Sequence, residues 1–371
     1  MERKVYLVTR RASYNFGSSL QAYALQTLLT QKCGHCEILD VKEMRLRGRL
    51  RLAVLDVAGL VLQMLPLLRR WVGAACYDRL VQSRRARRRF DAFNDGVLRV
   101  SPRRLHSERR LRRYVEEGSL IVCGSDQIWN PLGFSPVMFL SFADPSRHTL
   151  AAYAPSFGLG EVTLHREEIA RLVRRFHHLS AREASGRVTL EQMTGRRVPL
   201  VLDPTLVVAP SVWFALEQAV DVPKGGYVLC YFLSTSLYPL DFIADLAMRH
   251  GLTVVNIQTN YSPFALPGAV NRADCGPREF LYLVRRAAYV CTNSFHCCIF
   301  SHLFGRDFYV FDRFAAGDKA NQNTRIETLL SILGERHRWV DMEGKSKYSL
   351  CKETSDLCTL QRSSELYINK L

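Results

Sequence analysis

A single histidine, His296, stands in the polar turn of a stretch otherwise suited to packing, CTNSFHCCIFSHLFGRDFYVF, residues 291–311. Imidazole is the side chain best placed to give and take protons near neutral pH, so His296 is a candidate for acid–base chemistry. Asn293 and Ser294 stand beside it at the start of a helix. Three further polar turns offer complementary groups. SYNFGSSLQAYALQ sets Asn15, Gly17 and Ser18 ahead of a helical period, whose unpaired N–H groups suit an anion. It lacks the GK[ST] ending of a P-loop. GSDQIWNP presents Ser125 and Asp126 after a glycine turn, and LSAREASG puts Arg182 and Glu183 just before another helix. Each turn alone has a plainer reading. Ser and Asn at a helix start usually cap it, an Arg-Glu pair is commonly a surface ion pair, and a lone histidine is more often packed than catalytic.

The elements that must hold these turns are apolar runs too continuous for half-exposed strands: VYLV, CEILDV, SLIVCGS, TLAAYA, VPLVLD, YVLCYF, LTVVNI, AAYVCTN and DFYVF. Helical periods alternate with them, as in Leu20, Tyr23, Ala24, Thr27 and Leu28. That alternation predicts α/β architecture with parallel sheets covered on both faces. The series breaks at VLDPTLVVAPSVW and restarts at Tyr227, so two Rossmann-like doubly wound domains facing across a cleft are expected. The boundaries read as residues 1–205, with a basic apolar and helical insertion at about 43–113, then 206–345, then a tail, 346–371, that packs back on the N-terminal domain. Ligands of such sheets sit outside the carboxyl ends of the strands. All four polar turns fall there.

Hydrophobic residues make up 47% of the 371 residues, enough for two cores. The start, MERKVYLVTRR, enters a strand with no signal-peptide pattern, and no apolar run has the length of a membrane span. A cytoplasmic location is expected. The eleven cysteines are irregularly spaced and fit reduced thiols. Cys33 and Cys36 form an isolated CxxC after a helix, a pattern expected to be incidental rather than a zinc or redox site. No metal site and no cofactor is expected. The net charge of +16 is concentrated: residues 42–113 hold 20 Lys and Arg against 6 Asp and Glu.

The blocks NFGSSLQAYALQ, VCGSDQIWN, YAPSFG, SAREASG, VLDPTLVV, TNSFHCCIFSHLFGRDFYVF and NTRIETLLSIL resemble, in this order, the polysaccharide pyruvyl transferases. The resemblance covers the chain except roughly residues 43–88 and the last 25. It implies a fold like that of two-domain glycosyltransferases. It also implies phosphoenolpyruvate as donor and a reaction that builds a cyclic pyruvate ketal on two sugar hydroxyls, releasing phosphate. Such chemistry needs a general acid for C3, cations for the donor's carboxylate and phosphate, and a base for the hydroxyls.

By resemblance His296 matches the family's histidine and is the expected acid, protonated by virtue of the bound trianionic donor. Arg182 matches a donor-contacting arginine, and a guanidinium can grip carboxylate or phosphate through two parallel bonds. Arg325, in NTRIETLL, is a second cation. Asn15, Ser125, Asn293 and Ser294 would position donor or sugar, and Asp126 would take a hydroxyl proton or, alternatively, cap its turn. Two positions depart from the common pattern. Ser294 stands where many members have arginine, and Cys297 where they have glycine; the first removes a cation and the second could crowd the site.

Residues 45–70 carry a mostly apolar stretch between arginine clusters, followed by RRARRRFDAF and RRLHSERRLRRYV. A helix lying on an anionic membrane surface, through residues 45–113, fits an enzyme of lipid-linked oligosaccharides. The alternative is a helical hairpin covering the N-terminal domain. No aromatic platform accompanies the charge, so no nucleic acid is expected. Two other functions stay open at this point: a nucleotide-sugar glycosyltransferase of similar architecture, and a non-catalytic membrane-associated scaffold of polysaccharide assembly.

Overall fold

The computed structural model describes all residues except 1–2, 12–13, 42–73, 103–104, 106, 234–237, 259–265, 314–322 and 349–353. The first half runs β1 (Val5–Val8), α1 (Phe16–Cys33), β2 (Glu37–Ile38), α2 (Ala74–Gly96), α3 (Glu108–Tyr114), β3 (Leu120–Asp126), β4 (Thr149–Pro155), α4 (Arg166–Val173), β5 (His178–Leu179) and α5 (Ala184–Thr194). After α6 (Pro210–Leu216) come β6 (Tyr227–Tyr231), α7 (Leu240–His250), β7 (Thr253–Ile257), β8 (Val270–Arg272), α8 (Pro277–Arg286), β9 (Tyr289–Thr292), α9 (Phe295–Leu303), β10 (Asp307–Val310), α10 (Asn323–Leu333) and α11 (Leu357–Lys370).

The strands form two parallel five-stranded sheets, ordered β2-β1-β3-β4-β5 and β10-β9-β6-β7-β8. This is the Rossmann-like doubly wound pair that the sequence pattern predicts. In β1 the side chains alternate between two cores: Val5 and Leu7 enter one cluster, Tyr6 and Val8 the other. Burial on both faces is why these strands read as unbroken apolar runs. The stretch VPLVLD is a correction. It forms no strand; Leu200 makes one isolated bridge with Ala181, and Asp203 then caps a single 3-10 turn, Pro204–Leu206. Pro204 at the first turn position removes a ladder donor, which ends pairing there.

Strand order reverses between β1 and β3 in the first sheet and between β6 and β9 in the second. At such a switch point adjacent connections leave in opposite directions and open a crevice at the strand ends. One continuous apolar cluster, including Leu20 and Leu25 of α1, Leu229 of β6 and Val290 of β9, joins the halves beneath these crevices. Phe16 is its keystone, stacked 4.6 Å from Phe280 of α8 and 5.1 Å from Phe90 of α2, with Tyr231 edge-on at 5.4 Å. Each such ring pair adds about 0.5–1.5 kcal/mol beyond burial. The contacts seat the first turn of α1 against the second half. α11 lies against the first half, where Leu202 N–H donates to Ser364 Oγ (2.8 Å) and Tyr367 OH to the Ala152 carbonyl (2.9 Å).

Candidate active site

Three of the turns singled out in the sequence end at a switch point or open a helix beside one, and the fourth, Arg182–Glu183, opens α5 after the edge strand β5. Asn15 caps α1, its side chain accepting from Ser18 N–H at 3.1 Å. Because Phe16 fixes α1 sideways, Gly17 comes directly under the His296 ring. A Cβ on Gly17 would overlap the imidazole, with even Cε1 only 2.9 Å away, so this contact needs glycine. Ser294 caps α9 by accepting from Cys297 N–H (3.4 Å), and Asn293 accepts from Leu233 N–H (2.7 Å), tying the end of β9 to that of β6. Gly124 has φ +139, and a Cβ there would meet the Tyr153 backbone, its nitrogen 3.3 Å away. That backbone path turns Ser125 inward and Asp126 toward α1.

At the centre lies a residue that sequence reasoning missed. Asp203 is 2% exposed, and its Oδ2 accepts from Arg182 Nη1 at 2.8 Å, with Ser125 Oγ at 3.4 Å and His296 Nε2 at 3.5 Å. Its Oδ1 accepts from Thr205 N–H (3.1 Å) and Thr205 Oγ1 (2.7 Å). Its signal lies in VLDPTLVV, where an aspartate precedes proline, but the apolar run that carries it predicts a strand. Arg182 is held on three sides: Nε donates to Glu183 (2.9 Å), Nη1 donates to Asp203, and Asp126 Oδ1 lies 3.7 Å from Nη1. Its Nη2 is buried without a hydrogen-bond partner, as are His296 Nε2 and Asn293 Nδ2. Arg182 Nη2 and Asn293 Nδ2 mark places where a ligand or water completes the bonding, whereas His296 Nε2 has the Asp203 carboxylate 3.5 Å away.

Phe295 gathers the cations. The Arg182 guanidinium lies 4.5 Å and that of half-buried Arg325 5.9 Å from its ring centroid. Burial, then repulsion from Arg182, pushes the Arg325 guanidinium down to about 10, still charged at neutral pH. An anion beside it would relieve both effects. Asp126 accepts from Ser18 Oγ at 3.0 Å. Burial would raise its pKa, but the positive charges of His296, Arg182 and Arg325 outweigh that and hold it below the usual value. Asp203 lies well below for the same reason, with His296 and Arg182 outweighing burial. Arg182 is raised, because Glu183, Asp203 and Asp126 outweigh its burial.

The structure thus brings His296, Asp126, Arg182 and Arg325 together, with Asn15, Asn293 and Ser294 as the backbone fasteners that shape the crevice. Ser125 is fully buried, its hydroxyl donating to the Ala154 carbonyl (2.9 Å), so it backs Asp203 rather than lining the crevice. Cys297 is buried in the core beneath α9 and does not crowd His296; burial pushes its thiol up to about 12. The described cysteines, Cys33 and Cys36 included, are free thiols. Among the described residues no three His, Cys, Asp or Glu side chains group as metal ligands.

The basic segment divides. Residues 45–70, the apolar part read as a membrane-surface helix, lie outside the described residues. In α2, Arg84 and Arg87 are buried, and Arg89 reaches the second half, donating to the Asp274 carbonyl (2.8 Å) with Glu279 at 3.3 Å. These three arginines are turned into the protein. Arg85, Arg88, Arg109 and Arg113 are exposed. Among the described residues no helix is long and apolar enough to cross a membrane.

The family model described as polysaccharide pyruvyl transferase matches residues 15–313. No curated protein matches the chain. Among solved structures, the chain is similar to UDP-GlcNAc 2-epimerase from Neisseria meningitidis, at 10% identity, TM-score 0.48, covering 100% of this chain and 99% of that one. It is also similar to the glycosyltransferase SnogD from Streptomyces nogalater, at 14% identity, TM-score 0.40, covering 100% and 94%. A third similarity is to E. coli heptosyltransferase WaaC, at 9% identity, TM-score 0.38, covering 88% and 96%.

Proposed function

The chain belongs to the polysaccharide pyruvyl transferase family, and from that premise we propose that it moves the enolpyruvyl group of phosphoenolpyruvate onto two hydroxyls of a sugar, in a polysaccharide or a lipid-linked oligosaccharide, as a cyclic pyruvate ketal. The observation that carries this reading is the juxtaposition of a proton donor and anion-binding cations. His296 sits at the first turn of α9, against the first turn of α1, with Arg182 and Arg325 both within 6 Å of the Phe295 ring beside it. Two helix N-termini and two guanidiniums suit a ligand carrying both carboxylate and phosphate.

In this reading His296 protonates C3: its N–H bond breaks as the enol π electrons form the new C–H bond, leaving cationic character at C2. The first sugar hydroxyl attacks C2, and Asp126, a carboxylate at neutral pH, takes its proton. The C2–O bond to phosphate then breaks, and the departing phosphate receives that proton. The second hydroxyl closes the ketal on C2 and returns a proton to His296. Ser294, where many members carry arginine, leaves Arg325, the partnerless Nη2 of Arg182 and the helix termini to hold the donor. The exposed arginines of α2 and α3 remain available to an anionic membrane surface that bears the acceptor.

Calorimetric titration with phosphoenolpyruvate and with a UDP-sugar tests the reading. Saturable binding of phosphoenolpyruvate, weakened in Arg325→Met, is the expected result. Binding of the UDP-sugar alone would replace it with nucleotide-sugar transfer.

A further inference from the structure

Asp203 lies on none of the four polar turns, yet its carboxylate meets the two side chains on which the proposed chemistry depends. Its two bonds from Thr205, at 3.1 and 2.7 Å, lock the carboxylate plane and leave Oδ2 aimed at Arg182 Nη1 and His296 Nε2. The opposite edge of the imidazole, carrying Nδ1 and Cγ, packs over Gly17 in the first turn of α1. One ring nitrogen therefore faces a buried carboxylate and the other faces the helix end where an anion is favoured.

We propose that Asp203 is a positioning residue that holds the Nε2–H of His296 and leaves Nδ1 as the atom that passes a proton to the enolpyruvyl carbon. The assignment rests on the pyruvyl-transfer reading above. Which imidazole nitrogen works is set by the bond the other one makes, and a carboxylate behind the ring fixes its orientation and stabilises the imidazolium. At 3.5 Å the pair is an ion-pair contact rather than a made hydrogen bond; bonds of this kind tighten when the reacting complex forms. In the transfer the Nδ1–H bond breaks as C3–H forms, and the ring is left neutral with its remaining proton on Nε2, still facing Asp203. The second sugar hydroxyl then reprotonates Nδ1. The other charges around the ring are the Asp126 carboxylate and, behind the two aspartates, the guanidiniums of Arg182 and Arg325.

The test is nitrogen NMR of the full-length protein labelled with 15N-histidine, with the His296 signals identified by their loss in His296→Asn. The expected result is a neutral ring that carries its proton on Nε2 in the parent and loses that preference in Asp203→Asn. The same variant should lose turnover on phosphoenolpyruvate by about 10²–10⁴-fold. The alkaline limb of its kcat profile should move to lower pH, which a purely structural aspartate would leave in place. A neutral ring protonated on Nδ1 in the parent, or an unmoved alkaline limb in Asp203→Asn, overturns the assignment. The tautomer is read without donor. A protein with the Nε2–H tautomer that never consumes phosphoenolpyruvate would therefore sink the functional reading alone, while turnover with the Nδ1–H tautomer would sink this inference alone. Should Asp203→Asn fail to fold, the parent tautomer still decides.

Discussion

Gly17 and His296, 279 positions apart in the chain, share one contact in which the glycine leaves room for the imidazole and no other residue type would. The contact exists because Phe16 is pinned to Phe280 and Phe90, which holds the first turn of α1 against the second half. Gly17→Ala should displace the ring. We expect a stability cost of about 1–3 kcal/mol from overpacking and a loss of turnover of at least about 10²-fold, since misplacement by an ångström costs that much. Parent-like kcat in a folded Gly17→Ala protein would show that the ring does not work from this position.

Arg182 and Arg325 should separate in their effects. Arg182→Ala leaves Asp203 and Glu183 as buried carboxylates that have lost their shared cation, so about 3–5 kcal/mol of stability should go with it. Arg325 is a cation disfavoured by burial and by Arg182. Arg325→Met should therefore keep or raise Tm while weakening phosphoenolpyruvate binding by at least tenfold. Paired thermal melts and calorimetry check both. Equal destabilisation by the two variants would contradict the charge layout described for the crevice.

The parts of the fold that were legible are those with strong periodicity. β1, β3, β4, β6, β7 and β9 follow the apolar runs, and α1 follows its heptad-like spacing from Leu20. β5 and β8 were not, because a two-residue strand at His178–Leu179 and the polar Val270–Arg272 carry no period; pairing with a neighbouring strand, not local pattern, makes them strands. His296, Arg182 and Asp126 were legible as residues at strand ends. Asp203 was hidden, because its role arises from a linker crossing beneath both switch points. Nothing local distinguishes that aspartate from a turn cap, which it also is.

Cys297 should be a packing residue. Its thiol is buried and pushed up to about 12, a state neither nucleophilic nor accessible to reagents. Cys297→Ala should retain kcat within a factor of about two and cost about 1–2 kcal/mol, the loss of a small buried group. Titration of the folded protein with a thiol reagent should leave Cys297 unmodified while exposed Cys358 reacts. Rapid labelling of Cys297 with parallel loss of activity would count against this.

The carboxylates at the centre also predict how stability depends on acid. Asp126 and Asp203 are both held below the ordinary range in the folded protein; burial opposes this, and the charges of His296 and Arg182 outweigh it. In the unfolded chain they titrate near 4. A depressed folded-state pKa means that the unfolded chain binds protons first, so the stability these groups contribute is fully present above about pH 4 and is lost as pH falls through their folded-state values. Each group titrating only in the unfolded chain contributes about 1.4 kcal/mol per pH unit. Denaturation free energies measured from pH 6 to pH 2.5 should therefore stay level and then fall steeply below about pH 4. Asp203→Asn, less stable at neutral pH, should fall with a slope shallower by about one proton, because the variant no longer has that carboxylate to protonate. Parallel curves for the parent and the variant across that range would mean that Asp203 is not held ionised in the folded protein, and the ion pair with Arg182 and His296 would lose its electrostatic basis.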